Sequence, residues 1–386
     1  MAKRLTIFCS IILLFSAASG SFGQGVEMKK ITQDFQAKLE ELRGQFKFPG
    51  ATAAFILPDG RVSAVAVGFS DVESKTLMKP TDRMPSGSVG KTFVAGVMIL
   101  LAKEGKVSLD DMIDKWFKNE AWLPRLPNAH EITIRMLLNH RSGILDHVFE
   151  SKKFLEDLAV ISTQNPDQAI PPEKLISYVL DAPPLFPAGT KFHYSDTNYI
   201  LAGLIIEKAT HSTYYDELEK RILKKFGLKN TLPATSRKLP GIVPGYIDPQ
   251  NPLGITIKKT VQEGLLMSNP LTEWTGGGLI SNPGDLVRWA KLLYEGKLME
   301  RPYLTELLDH GEFPAGLGVG VHPTSLGIMY GHTGYFPGYN TAMEYFPDHK
   351  IAVAAQFNMD HGHGDLQEEI LALASVVVNR LSGKRK

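Results

Sequence analysis

The sequence predicts an α+β fold: an antiparallel sheet built from both chain termini and flanked by helices, interrupted by a mostly helical inserted domain, with the active site in the cleft between them. Three observations predict it. Strand-like hairpins stand near both ends, helical segments and long loops fill the middle, and the last apolar segment repeats with helical spacing. From Phe48, two β-rich apolar runs are joined by Pro58-Asp59-Gly60, a turn suited to a hairpin. Near the other end, residues 341–346 and 351–357 form a second such pair around Pro347-Asp348-His349-Lys350. Leu366, Ile370, Leu373, Val377 and Leu381 then share one helical face. Between the hairpins, residues 175–180, 200–208 and 214–225 are expected to be helical. Residues 231–254 are rich in proline and glycine without a clear period and are expected to form a long surface excursion. The expected division is 28–85 with 270–386 for the discontinuous sheet domain, and 86–269 for the helical one. A cleft between two such parts is a usual place for a site.

The chain has 386 residues, 43% hydrophobic and 22% charged, which is ordinary for a globular protein. Its formal charge is +1, with basic residues spread along the sequence, so nothing marks a nucleic-acid partner and a small or peptide-like ligand is expected. At the start, Lys3 and Arg4 precede an apolar run over 5–15 and small residues over 16–23. That pattern predicts a signal peptide over 1–23, cleaved after Gly23 or Gly20, and an exported, periplasmic or secreted protein with no stable membrane insertion afterwards. Cys9 is the only cysteine, so the mature chain is expected to carry no disulfide and no cysteine-ligated metal.

The chemistry begins at Pro85-Ser86-Gly87-Ser88-Val89-Gly90-Lys91, where eleven uncharged residues follow Lys91. A helix so apolar is buried on most sides, and a lysine in its first turn must find a partner or lose its proton. Ser88 lies three residues before Lys91, so the two share a helical face. At a helix start the serine also gains free N–H groups and the positive end of the dipole, which suits a nucleophile whose attack creates an oxyanion. An N-cap serine with a snorkelling lysine is the plainer alternative for this motif taken alone. Tyr194, in a loop before the apolar helix, and Gly331-His332-Thr333-Gly334, leading into the terminal hairpin, are each readable alone as a packed aromatic and a turn.

Together, Ser88-Val89-Gly90-Lys91, Tyr194-Ser195-Asp196 and His332-Thr333-Gly334 occur in the order known for serine β-lactamases and penicillin-binding proteins. The chain resembles the serine β-lactamase-like superfamily: class C β-lactamases, D-alanyl-D-alanine carboxypeptidases and related esterases. The similarity extends to residues 137–144, 194–203 and 276–286, and so covers almost all of the mature chain. It implies Ser88 as acylated nucleophile, Lys91 and Tyr194 as the proton-transfer pair in either division of labour, and the N–H groups of Ser88 and Tyr335 as the oxyanion hole. Such donors are worth ~3 kcal/mol each in the transition state. His332, Thr333, Gly334 and Asp196 are implied to meet the substrate. No cofactor and no metal are implied.

Two positions depart from the β-lactamase form. His332 replaces a lysine and is expected to be only partly charged at neutral pH, so carboxylate recognition should weaken as pH rises. Asp196 replaces an asparagine; it is expected to pair with Lys91 and raise its pKa, which would leave Tyr194 as the acylation base. The resulting expectation is a serine hydrolase acting through an acyl-enzyme on a D-amino-acid peptide or a small ester or amide. A class C-type β-lactamase and a non-catalytic ligand-binding or cell-wall-sensing relative are the alternatives. His361-Gly362-His363 with Asp360 and Asp365 is expected to be a solvated loop rather than a metal site. Asp146 and His147 after Ser142 are adjacent and diverge on most backbones, so a relay through them is not expected. Trp274 is expected either to line the cleft or to sit in the core.

Overall fold

The computed structural model describes residues 13–360 and 366–383, with side chains from residue 27 onward. The 361–365 cluster and the start of the expected leader lie outside the described residues; from Leu13 to residue 26 only helical backbone is described. Helix α1 (Leu13–Phe46) leads into strands β1 (Gly50–Ile56), β2 (Val62–Asp71) and the short β3 (Thr76–Leu77). The C-terminal part supplies β4 (Gly320–Thr324), β5 (Gly327–Phe336), β6 (Tyr339–Phe346), β7 (Ile351–Phe357) and the last helix, α5 (Leu366–Leu381). Between them run α2 (Gly90–Lys103), α3 (Asp196–Thr210) and α4 (Pro283–Tyr294). Among the described residues no helix is long and apolar enough to cross a membrane.

The strands form one antiparallel seven-stranded sheet in the order β3-β2-β1-β7-β6-β5-β4, so the two ends of the chain meet where β1 pairs with β7. Alanines pair across its centre, Ala53 with Ala355 and Ala355 with Ala342. Small side chains there let helices pack close on both faces. On one face Ile31, Phe35 and Leu39 of α1 and Ile370, Leu373 and Val377 of α5 pack against Ala53, Phe55 and Val353. The other face packs against α4 and continues into the helical part around α2, where Trp289 stacks on Phe93 at 4.3 Å and donates to Thr92 Oγ1. Full burial of such side chains contributes about 1.5–3 kcal/mol each.

Local differences from the expected elements have local causes. The helix expected over 175–180 runs instead over Pro172–Ser177, because Pro172 occupies the first helical position, where its missing N–H costs nothing. Helix α3 begins four residues before the apolar run, at Asp196. The segment over 214–225 is helical but passes through a π-helical stretch, Glu219–Leu223. Residues 231–254 are not merely a surface excursion: Ala234, Leu239 and Val243 are buried with Ile280 and Tyr339 in a third apolar cluster. Their irregular spacing left no period to detect.

Candidate active site

Ser88 sits in a short 3-10 turn, Gly87–Val89, that runs directly into α2. The turn is clamped from two sides. Thr341 Oγ1 on β6 donates to Pro85 O at 3.0 Å, and Ser86 Oγ donates to Leu279 O at 3.1 Å. Strand β5 passes so close that a Cβ on Gly87 would lie 2.5 Å from Tyr335 O and 2.7 Å from Tyr335 N, while one on Gly334 would lie 2.0 Å from Ser86 O. Gly87 also has φ +50, so only glycine fits both the contact and the backbone. This approach brings the backbones of Ser88 and Tyr335, the two expected oxyanion donors, together.

Lys91 is fully buried, as its apolar surroundings predict. Its Nζ donates to Ser88 Oγ at 2.9 Å, to Gly276 O at 2.5 Å and to Asp196 Oδ1. An ammonium has three protons, and here each has an acceptor. Burial disfavours that charge, but Asp196 and the Tyr194 oxygen outweigh it and hold Lys91 above the usual lysine range. Lys91 therefore has no lone pair to offer Ser88. Tyr194 Oη donates to the same Ser88 Oγ at 2.7 Å, and its ring lies 5.1 Å from the ammonium. Burial raises the Tyr194 pKa, and Asp196 offsets the lowering by Lys91, so the group rests as a phenol.

Residues 140–146 hold the Tyr194 loop. The His140 ring stacks on Tyr194 at 4.2 Å, its Nδ1 accepts from Ser195 N–H, and Ser195 Oγ donates to Leu145 O. Asp146 accepts from Val148 N–H, and His147 Nδ1 meets Thr197 Oγ1 at 3.0 Å, so neither forms a relay to Ser142, whose hydroxyl donates to Asn198 Oδ1. Trp274 belongs to the core, edge-on to Tyr214. Neither Gly276 O nor His140 is singled out individually by the sequence. The glycine run Gly276-Gly277-Gly278 is the best signal for the first, since a Cβ on Gly277 would lie 2.3 Å from Gly87 O, and the 137–144 stretch is the signal for the second.

His332 lies on β5 beside the cleft, its ring 6.1 Å from that of Tyr194, and its Nδ1 donates to Thr333 O at 2.5 Å. Burial, reinforced by Lys91, pushes its pKa down to about 4. The expectation of a partly charged histidine is thus corrected: His332 is neutral at pH 7 and is no cationic anchor for a carboxylate. Thr333 is half-buried on the same strand, and Gly334 serves the close approach to Ser86.

The buried titratable groups set a pH dependence of stability. Burial and Asp196 push Asp146 up to about 8 and Glu273 up to about 7. Raised acids contribute stability that is full below about pH 4 and lost as pH climbs to their folded values. Burial pushes His147, like His332, down to about 4. Depressed histidines contribute stability present above about pH 6.5 and lost as pH falls toward 4. Between pH 6.5 and 8 only the acids titrate, so the melting temperature falls across that window. Thermal melts at both ends check this, with Asp146→Asn flattening the slope; a melting temperature that holds or rises contradicts it.

A family model described as Beta-lactamase matches residues 35–378. The chain is 24% identical over 351 residues to a D-aminopeptidase of Brucella anthropi, covering 89% of this chain and 62% of that one. It is 26% identical over 295 residues to penicillin-binding protein 4* of Bacillus subtilis (strain 168), covering 73% of this chain and 62% of that one. The chain thus spans about three fifths of the length of these curated relatives. Among solved structures, a D-stereospecific amidohydrolase from Streptomyces sp. superposes with a TM-score of 0.73 at 26% identity, covering 92% of this chain and 98% of that one.

Proposed function

This chain belongs to the Beta-lactamase family, and from that premise we propose that it is a serine hydrolase that releases D-amino acids from amides or short peptides through an acyl-enzyme at Ser88. One observation carries the reading: Lys91 Nζ and Tyr194 Oη converge on Ser88 Oγ at 2.9 and 2.7 Å, in a cleft that Ser88 and Asp196 help to line. The D-amino-acid substrate class is supported by the relatives, whose names are D-aminopeptidase and D-stereospecific amidohydrolase.

In the proposed reaction Ser88 Oγ attacks the scissile carbonyl carbon while its proton passes to Tyr194 Oη. Tyr194, acting in its phenolate form, then gives that same proton to the departing nitrogen, so the C–N bond breaks as an ester forms. Lys91 stays an ammonium and stabilises negative charge developing on Ser88 Oγ, while the N–H groups of Ser88 and Tyr335 receive the carbonyl oxygen. Water then repeats the sequence against the ester and frees Ser88.

The test is a panel of D- and L-amino-acid amides, an activated p-nitrophenyl ester and a penicillin, each followed by product release. Turnover of the D-amides in preference to their L-enantiomers is expected. Preferred turnover of penicillin, or none of any reagent, overturns the reading. The basic and apolar start of the chain supports export as part of the same proposal, and the assay run on cell fractions is expected to find the activity outside the cytoplasm.

A further inference from the structure

One carboxyl group in the cleft takes no part in this chemistry. Glu273 stands between two 3-10 turns, Pro270–Thr272 and Trp274–Gly276, directly before the glycine run. Its side chain is half-buried and lines the same cleft as Ser88. A Cβ on Gly276 would lie 3.3 Å from Asp196 Oδ1 and 4.0 Å from Glu273 Oε2, so Glu273 flanks the reacting groups. Among the described residues its carboxyl makes no hydrogen bond or ion pair.

The charges around it are already matched. Asp196, the other carboxylate lining the cleft, is paired with Lys91. His332 and His140 are neutral at pH 7, held down by burial and by Lys91. An ionised Glu273 therefore gives the cleft an uncompensated negative charge, which repels a substrate carboxylate and attracts a cation. Val148, Phe149, Phe154 and Leu158 form an apolar wall of the same cleft, with Phe149 45% exposed. An exposed aromatic facing a cleft is an unpaid hydrophobic contact that a ligand side chain can cover.

We propose that Glu273 receives the α-ammonium group of the substrate while the apolar wall takes the side chain of the same residue, so that the chain acts at the amino end of its substrate. This rests on the hydrolase reading above and sharpens it: a free amine is demanded, and a terminal carboxylate is not. The charge of the cleft thus favours an aminopeptidase or amidase over a carboxypeptidase.

The pH behaviour agrees with this assignment. Glu273 is faced by Asp196, Lys91, Tyr335 and Tyr215; burial and Asp196 push it up to about 7 against the pull of Lys91. An α-ammonium loses its proton near pH 8, so affinity for a free amine is expected to peak between about pH 7 and 8, and affinity for its N-acetyl form to stay flat there.

The experiment measures binding, not turnover, so it is separate from the hydrolase reading. In a Ser88→Ala background, calorimetry compares D-phenylalaninamide with N-acetyl-D-phenylalaninamide, with and without Glu273→Gln. The free amine is expected to bind more tightly, and the amine-to-acetyl affinity ratio to fall at least tenfold in Glu273→Gln. Glu273→Asp should restore part of the ratio, which a general loss of folding would not do. An unchanged ratio, tighter binding of the acetyl form, or no binding of the amine each overturns the proposal. Failure of the unmodified enzyme to hydrolyse any amide overturns the hydrolase reading instead.

Discussion

Ser88→Ala is expected to lower hydrolysis of every substrate by roughly ten-thousand-fold or more and to abolish the mass gain expected when the unmodified enzyme is mixed with an activated p-nitrophenyl ester. The magnitude follows from what the hydroxyl does. It is the shared acceptor of Lys91 and Tyr194, so its removal deletes the attacking atom and leaves both donors aimed at a methyl group. The oxyanion donors and the cleft remain, and they alone give only a small residual rate. Folding is spared, because the turn is held by Pro85 O, Ser86 Oγ and the glycines, not by the Ser88 side chain. Intact-mass time courses and initial rates on the two proteins check the expectation. A variant that still acylates, or loses less than a hundredfold in rate, places the nucleophile elsewhere.

Much of this site is legible in the sequence because its parts obey short-range rules. Ser88 and Lys91 lie three residues apart at a helix start, and helical geometry alone lets their side chains meet. The burial of Lys91 followed from the apolar residues after it. The sheet was legible for a similar reason: two hairpins and a terminal helix announce themselves by turn residues and period. Strand β4 carried no such signal, since Gly320-Val321-His322-Pro323-Thr324 is short and includes a proline, which only an edge strand tolerates.

What escaped the sequence depends on long-range contact. The third acceptor for Lys91 is a carbonyl oxygen 185 positions away, and backbone atoms leave no mark of identity in a sequence. His140 packs on Tyr194 through a left-handed residue at φ +58; its motif was visible, but its role is set by the loop it meets. The charge state of His332 is hidden from the sequence because it depends on burial and on Lys91, two facts of the fold. Glu273 is invisible for the converse reason: one glutamate beside a tryptophan has no pattern, and its meaning lies in being unpaired.

Asp196→Asn is expected to move the acid limb of the acylation pH profile to lower pH by about one unit or more, because one charge holds two proton-transfer groups in their resting forms. Asp196 keeps Lys91 protonated, and it cancels the field by which that ammonium would otherwise favour a Tyr194 phenolate. In the unmodified protein a phenolate is therefore scarce at neutral pH, and acylation should climb with pH into the alkaline range. The asparagine keeps an oxygen to accept from Lys91 Nζ but removes the negative charge. Lys91 then loses its proton more easily, or, while charged, draws Tyr194 toward phenolate, and either change supplies a base for Ser88 at lower pH. Asp196→Ala is the contrasting variant. It strands a buried ammonium without its partner, which costs ~3–5 kcal/mol of stability, whereas the asparagine retains a hydrogen bond and more of the fold. Rates of acyl-enzyme formation by Asp196→Asn and by the unmodified protein, taken from pH 5 to 10 with the same ester, decide the matter. A profile that stays in place shows that Asp196 does not control the protonation of Lys91 or Tyr194; a shift to higher pH would mean that the lost carboxylate had itself been accepting the proton.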